Sequence, residues 1–151
     1  MNPKSTAAIA GHPLHPMLVV FPIAFFVGTF VSDIVYLATT DPFWARASFW
    51  LLVAGLVMGA LAALAGFTDF LGDRLVRATT VAWFHMIGNV SAVVLSLINV
   101  WLRYSNGETT AYPGVFWISL VVVLIFVVTG WLGGELVFRH RVGVSEEYPR
   151  T

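Results

Sequence analysis

Four long apolar runs separated by short polar links set the pattern of this chain. They cover residues 16–37, 47–67, 78–102 and 115–138. An α-helix needs about 20 apolar residues to cross a bilayer, and each run meets that length. The second and third runs carry no charge, the first carries only Asp33 and the fourth only Glu135. Lipid offers the backbone no hydrogen-bond partners, so each run is expected to be a helix. The links cover residues 38–46, 68–77 and 104–114, the last containing the turn signals Ser105-Asn106-Gly107 and Pro113-Gly114. Short links favour antiparallel neighbours. The expected fold is therefore all-α, one transmembrane domain over residues 1–151, an antiparallel up-down-up-down four-helix bundle. Small residues recur at Gly55, Gly59, Ala63 and Gly66, a spacing that admits another helix, within the bundle or from a second chain.

Composition narrows the picture further. Apolar residues make up 58% of the chain and charged residues only 11%, against about 25% charged in an average soluble domain. The mean hydropathy is +0.84. Too few charges remain to cover a water-facing surface. The net charge is zero and basic residues do not cluster, which argues against nucleic acid as a partner. Without cysteine there is no disulfide, thiolate or iron–sulfur ligation. A cleaved signal peptide is not expected, since Lys4 stands alone ahead of the first run.

Basic residues orient a membrane chain. With four crossings, Lys4, Arg74, Arg77, Arg139, Arg141 and Arg150 fall on the side that holds both termini, and Arg46 and Arg103 on the other. Six against two places the termini in the cytoplasm, in a bacterial inner membrane. Trp44, Trp50, Trp83, Trp101, Tyr104, Tyr112 and Trp117 lie near span ends, as interface anchors should, and Trp131 lies deeper.

The histidines carry the candidate chemistry. His12 and His15 precede or open the first span, His85 lies two turns into the third, and His140 closes the fourth. The expected topology gathers all four on the cytoplasmic side. Asp69 and Glu135 sit at the same level, and Asn89 follows His85 by one turn on the same face, placed to orient its ring. Three readings fit these residues. In the first, two imidazoles on facing helices hold a haem b, His85 paired with His15 or His140, while Arg74, Arg77 and Arg139 meet the propionates. Asp69, Glu135 and Asn89 would then orient the imidazoles. In the second, His12, His15, His85 and His140, with Asp69 or Glu135, supply ligands to a metal such as zinc. In the third, these groups bond one another and the helix ends, and nothing binds. Asp33 is expected to find an internal partner in Arg46, Arg103 or Asn99. Between Asp33 and the histidines only Thr29, Ser91 and Ser96 intervene, too few for a continuous proton path. No P-loop, dinucleotide or serine-nucleophile motif occurs.

With these residues laid out, the chain resembles domain of unknown function family 2231, small bacterial four-span membrane proteins. The likeness rests on Gly11-His12-Pro13-Leu14-His15-Pro16 with Phe21-Pro22-Ile23, on Gly66-Phe67-Thr68-Asp69, on His85, and on Gly133-Gly134-Glu135-Leu136-Val137 leading to Arg139-His140 and Val142-Gly143-Val144. The family's further histidine before the Phe-Pro step is Val20 here, and Arg141 replaces the glycine after the last histidine. The resemblance implies a four-span membrane protein without an established activity. The joining of some relatives to Rieske-type domains implies electron transfer. The leading expectation is thus a haem b electron carrier beside a membrane-protein partner. The rivals are an accessory subunit of a larger respiratory or photosynthetic complex without its own cofactor, and a zinc-type metal-binding protein.

Overall fold

A computed structural model of the chain describes residues 2–107 and 113–144. Tyr112 and Arg150 lie outside them. Six helices and one small hairpin follow in the order β1 (Ala8–Ile9), β2 (His12–Pro13), α1 (Leu14–Leu18), α2 (Val20–Thr39), α3 (Pro42–Gly72), α4 (Arg74–Arg77), α5 (Thr80–Asn106) and α6 (Gly114–Phe138). Four helical stretches are long and apolar enough to cross a membrane: Leu14–Thr39, Pro42–Gly72, Thr80–Asn106 and Gly114–Phe138.

The helices extend beyond the apolar runs for local reasons. The link between the first two crossings shrinks to residues 40 and 41. Thr40 takes the left-handed conformation (φ 56°) and its N–H closes α2 on the Tyr36 carbonyl. Asp41 then caps α3 by accepting the Phe43 N–H at 2.9 Å, and Pro42 occupies the first turn, where no N–H is needed. At the other end α3 runs on to Gly72, so most of the expected link 68–77 is helical. Asp73 breaks it and caps α4 by accepting the Leu75 N–H at 2.8 Å.

The first crossing is weakened near its start, between α1 and α2, although Val19 itself stays helical (φ −63°, ψ −22°), its N–H bonded to the His15 carbonyl and its carbonyl to the Ile23 N–H. Pro22 supplies the reason: it has no N–H to offer the Leu18 carbonyl, so one rung of the helical ladder is missing. Ahead of α1, residues 2–13 fold across the end of the bundle. The unexpected hairpin there pairs Ala8 with Pro13 and Ile9 with His12. Its tip, Ala10 (φ 50°) and Gly11 (φ 80°), has the positive φ pair of a two-residue hairpin turn.

The packing is inverted relative to a soluble bundle. The interior holds small residues, such as Ala45, Ala62 and Ala92, together with Thr29, Asp33, Ser48, Ser96, Asn99, Arg103, Ser119 and Thr129. Large apolar side chains, among them Trp50, Leu64, Trp101, Val127 and Trp131, face outward. Lipid is an apolar solvent, so close backbone approach and internal hydrogen bonds, not apolar burial, hold such a bundle together. The small-residue stripe of α3 works within the chain. A Cβ on Gly55 would stand 2.9 Å from the Phe26 ring, and one on Gly66 would stand 2.8 Å from the His15 ring. Phe26, Leu52, Ala92 and Val122 form the apolar middle of the core.

Candidate functional site

Two polar centres lie in this bundle, one toward each end of α5. The first joins all four crossings around a fully buried ion pair. The Arg103 Nη2 donates to both Asp33 carboxylate oxygens, at 2.8 and 3.0 Å, and both side chains are wholly buried. Arg103 Nε donates to Asn99 Oδ1 at 2.8 Å and Nη1 to Ser48 Oγ at 2.9 Å. The Ser48 hydroxyl donates to Asp33, and Asn99 Nδ2 donates to Ser119 Oγ at 3.0 Å. The expected internal partner of Asp33 is therefore Arg103, with Asn99 joined through it; Arg46 is exposed. Each nitrogen of the guanidinium fork meets an oxygen, the condition under which a buried ion pair is tolerated.

The second centre holds the histidines. His15 on α1 and His85 on α5 stand with ring centres 6.0 Å apart and planes at 86°. Each ring is fixed the same way. His15 Nδ1 donates to the Ala62 carbonyl of α3 at 2.8 Å, and His85 Nδ1 donates to the Thr129 carbonyl of α6 at 2.8 Å. A carbonyl oxygen only accepts, so Nδ1 carries the proton in both rings and Nε2 is left to ligate or accept. Glycines make room for the rings. A Cβ on Gly133 would stand 3.1 Å from His85 Cε1, just as Gly66 accommodates His15. Gly133 thus packs against an imidazole.

Asn89 supports this centre indirectly. Its Nδ2 donates to the His85 backbone carbonyl at 2.7 Å, and its Oδ1 accepts from the Thr129 hydroxyl at 3.3 Å. An amide one turn along a helix reaches the carbonyl of its neighbour more readily than that neighbour's ring. Thr129 is the residue that sequence reasoning missed. It is buried, its carbonyl holds the imidazole and its hydroxyl holds Asn89. Gly88 leaves the space its methyl group fills, since a Cβ there would lie 2.4 Å from Thr129 Cγ2.

The other expected site residues serve elsewhere. His12 is exposed on β2, its Nδ1 bonded to the Ala10 carbonyl at 3.0 Å. His140 is exposed past the end of α6, where its backbone N–H meets the Glu135 carbonyl. Glu135 pairs with Arg139 at 3.1 Å on the bundle surface. Asp69 turns to residues 5–7: its carboxylate accepts from Ser5 Oγ at 2.9 Å and from the Ala7 N–H at 2.7 Å. Arg77 donates to the Phe70 and Leu71 carbonyls and so closes α3, as a cation at a helix C-terminus does. Arg74 is exposed on α4. Among the described residues no three of His, Asp or Glu gather as a metal-ligating group. The structure thus brings together His15 and His85, and leaves His12, His140, Asp69 and Glu135 out of a common ligand set.

The sequence matches the family described as predicted membrane protein (DUF2231) over residues 11–146. No curated protein and no solved structure matches the chain.

Proposed function

Because the chain belongs to the DUF2231 family of predicted membrane proteins, we propose that it is a membrane-embedded b-type haem protein that carries electrons, with His15 and His85 as the residues that would hold the haem. One observation carries this reading: two imidazoles 70 residues apart converge within 6.0 Å, each with Nδ1 committed to a backbone carbonyl. Rings this close, each with Nδ1 committed to a carbonyl and Nε2 left over, could hold one metal-centred group between them. The donor set also discriminates between metals. A haem would need no more than two side-chain ligands from the chain, which a pair of histidines would supply. A structural zinc ion draws its full tetrahedral set from the protein, and the described residues gather no third ligand. Bound haem would supply one-electron chemistry. The chain's own part is to fix the imidazoles: the Ala62 and Thr129 carbonyls set their tautomer and turn, and a hydrogen bond from Nδ1–H raises the basicity of Nε2.

We place this centre near the cytoplasmic face of a bacterial inner membrane. Burial of Arg103 supports that orientation, because its charge is matched by Asp33 inside the bundle. Arg46 is then the only cation left for the opposite side among the described residues, against Lys4, Arg74, Arg77, Arg139 and Arg141.

The test is an absorption spectrum of the purified protein. A Soret band that shifts on dithionite reduction is expected. His15→Ala and His85→Ala should each remove most of the bound haem, while His12→Ala and His140→Ala leave it. A colourless wild-type protein would overturn the proposal and favour a subunit without its own cofactor.

A further inference from the structure

His15 differs from His85 in how it is mounted. His85 belongs to a 27-residue helix. His15 belongs to a five-residue helix that buries none of its residues. On one side, α1 joins α2 through Val19, at the turn where Pro22 has no N–H to offer the Leu18 carbonyl. On the other, it continues into residues 2–13, which are tied down by side chains of the α3 end. Asp69 accepts the Ala7 N–H at 2.7 Å and the Ser5 hydroxyl at 2.9 Å; Asp73 accepts the Lys4 N–H at 2.7 Å. The Leu14 N–H, at the start of α1, in turn donates to the Ala7 carbonyl at 2.8 Å. The residue that Asp69 holds is thus the one to which α1 is pinned. Gly143, past α6, completes the seat by donating its N–H to the Pro3 carbonyl at 2.9 Å.

We infer that residues 2–13 form a strap that positions His15, with Asp69 as its latch and the weakened turn at Val19 as its hinge. With the latch closed, His15 stays bonded to Ala62 and beside His85. With the latch open, α1 swings about the hinge and withdraws His15, while His85 keeps its bond to Thr129. Asp69 is therefore a positioning residue that acts on the imidazole through the Ala7 backbone. The proposal deepens the reading of the histidine pair as a ligand site, but its geometry holds whether or not haem binds.

The test uses the full chain in detergent, with hydrogen exchange and diethylpyrocarbonate modification followed peptide by peptide. Asp69→Asn is expected to raise exchange over residues 2–18 and to raise His15 modification about tenfold, the loss of one charge-assisted hydrogen bond. Exchange across α5 and α6, and modification of His85, should stay at wild-type levels. Adding Pro22→Ala restores the missing rung and should return most of the His15 protection. The proposal is overturned if His15 reactivity does not change in Asp69→Asn, or if α5 and α6 loosen equally, which marks Asp69 as a general stability residue. A colourless protein that shows the strap response sinks the haem reading and leaves the strap standing.

Discussion

At the scale of single residues, two kinds of polar group do different work in one apolar interior. Asp33 and Arg103 pair with each other and are completed by Ser48 and Asn99, so the centre is a closed structural network. Removing one partner strands a buried charge, which costs about 3–5 kcal/mol. Asp33→Asn should therefore lower the stability of the detergent-solubilised protein by about that amount, measured as a fall in its thermal midpoint. A double replacement by apolar residues of similar volume should recover most of the loss. The histidines instead spend only Nδ1, and leave one nitrogen each. Gly66→Ala tests how closely His15 is fitted: its methyl group would arrive 2.8 Å from Nδ1, so the ring must leave the Ala62 carbonyl. Such a variant should react with diethylpyrocarbonate at His15 faster than the parent, and Gly133→Ala should have a smaller effect at His85, where the approach is 3.1 Å. Much of this was legible beforehand. Asp33 had to find a partner, and the four-crossing pattern put His15 and His85 at one end. What was not legible was the exact partner set. A carboxylate on a helix end, such as Asp69, looks the same in sequence whether it faces an imidazole or the strap, and a threonine that serves through its carbonyl carries no sequence signature.

At the scale of elements, the lengths of helices departed from the apolar runs because capping, not hydropathy, ends a helix. Asp41-Pro42 falls within the expected link 38–46 and is instead a cap and a first turn, so α3 reaches 31 residues. That is about 46 Å at 1.5 Å per residue, longer than the roughly 30 Å hydrocarbon layer, and its ends must stand in the interfaces. Asp41→Ala should cost about 1 kcal/mol, detected as faster amide exchange confined to the first turn of α3. The weakened turn in the first crossing was hidden for the opposite reason: Pro22 sits inside an unbroken apolar run, and hydropathy is blind to a missing N–H. The strap has its own pH signature. Two backbone N–H groups, from Lys4 and Leu75, hold the Asp73 carboxyl below the ordinary aspartate value. An acid depressed in this way stabilises the fold above its unfolded pKa and loses that contribution as pH falls through the folded one. Protection of Lys4 against exchange should thus be level above about pH 5 and decline below about pH 4, once the intrinsic pH dependence of exchange is divided out. Asp73→Asn should flatten that decline.

At the scale of the whole molecule, the membrane class was the most legible property, because four runs of apolar residues leave no alternative to spanning helices, and the family match agrees with it. Orientation is testable with unusual ease, since the chain has no cysteine of its own. Single cysteines placed at Thr40 and at Arg74 should be labelled by an impermeant maleimide from opposite sides of the membrane, with Thr40 reached from the periplasm. Labelling of Arg74→Cys from that side would reverse the assignment of the histidine pair to the cytoplasmic face.

The deepest charge pair also constrains how the protein is made. Asp33 emerges from the ribosome 70 residues ahead of Arg103. The α2–α3 hairpin must enter the bilayer carrying an acid whose counter-ion does not yet exist. Ser48, on the neighbouring arm of that hairpin, donates to the carboxylate in the finished bundle and is a partner of Asp33 that enters with it. Release of a nascent chain truncated before α5 should then leave a hairpin that inserts, yet is cleared by membrane proteases faster than the complete bundle.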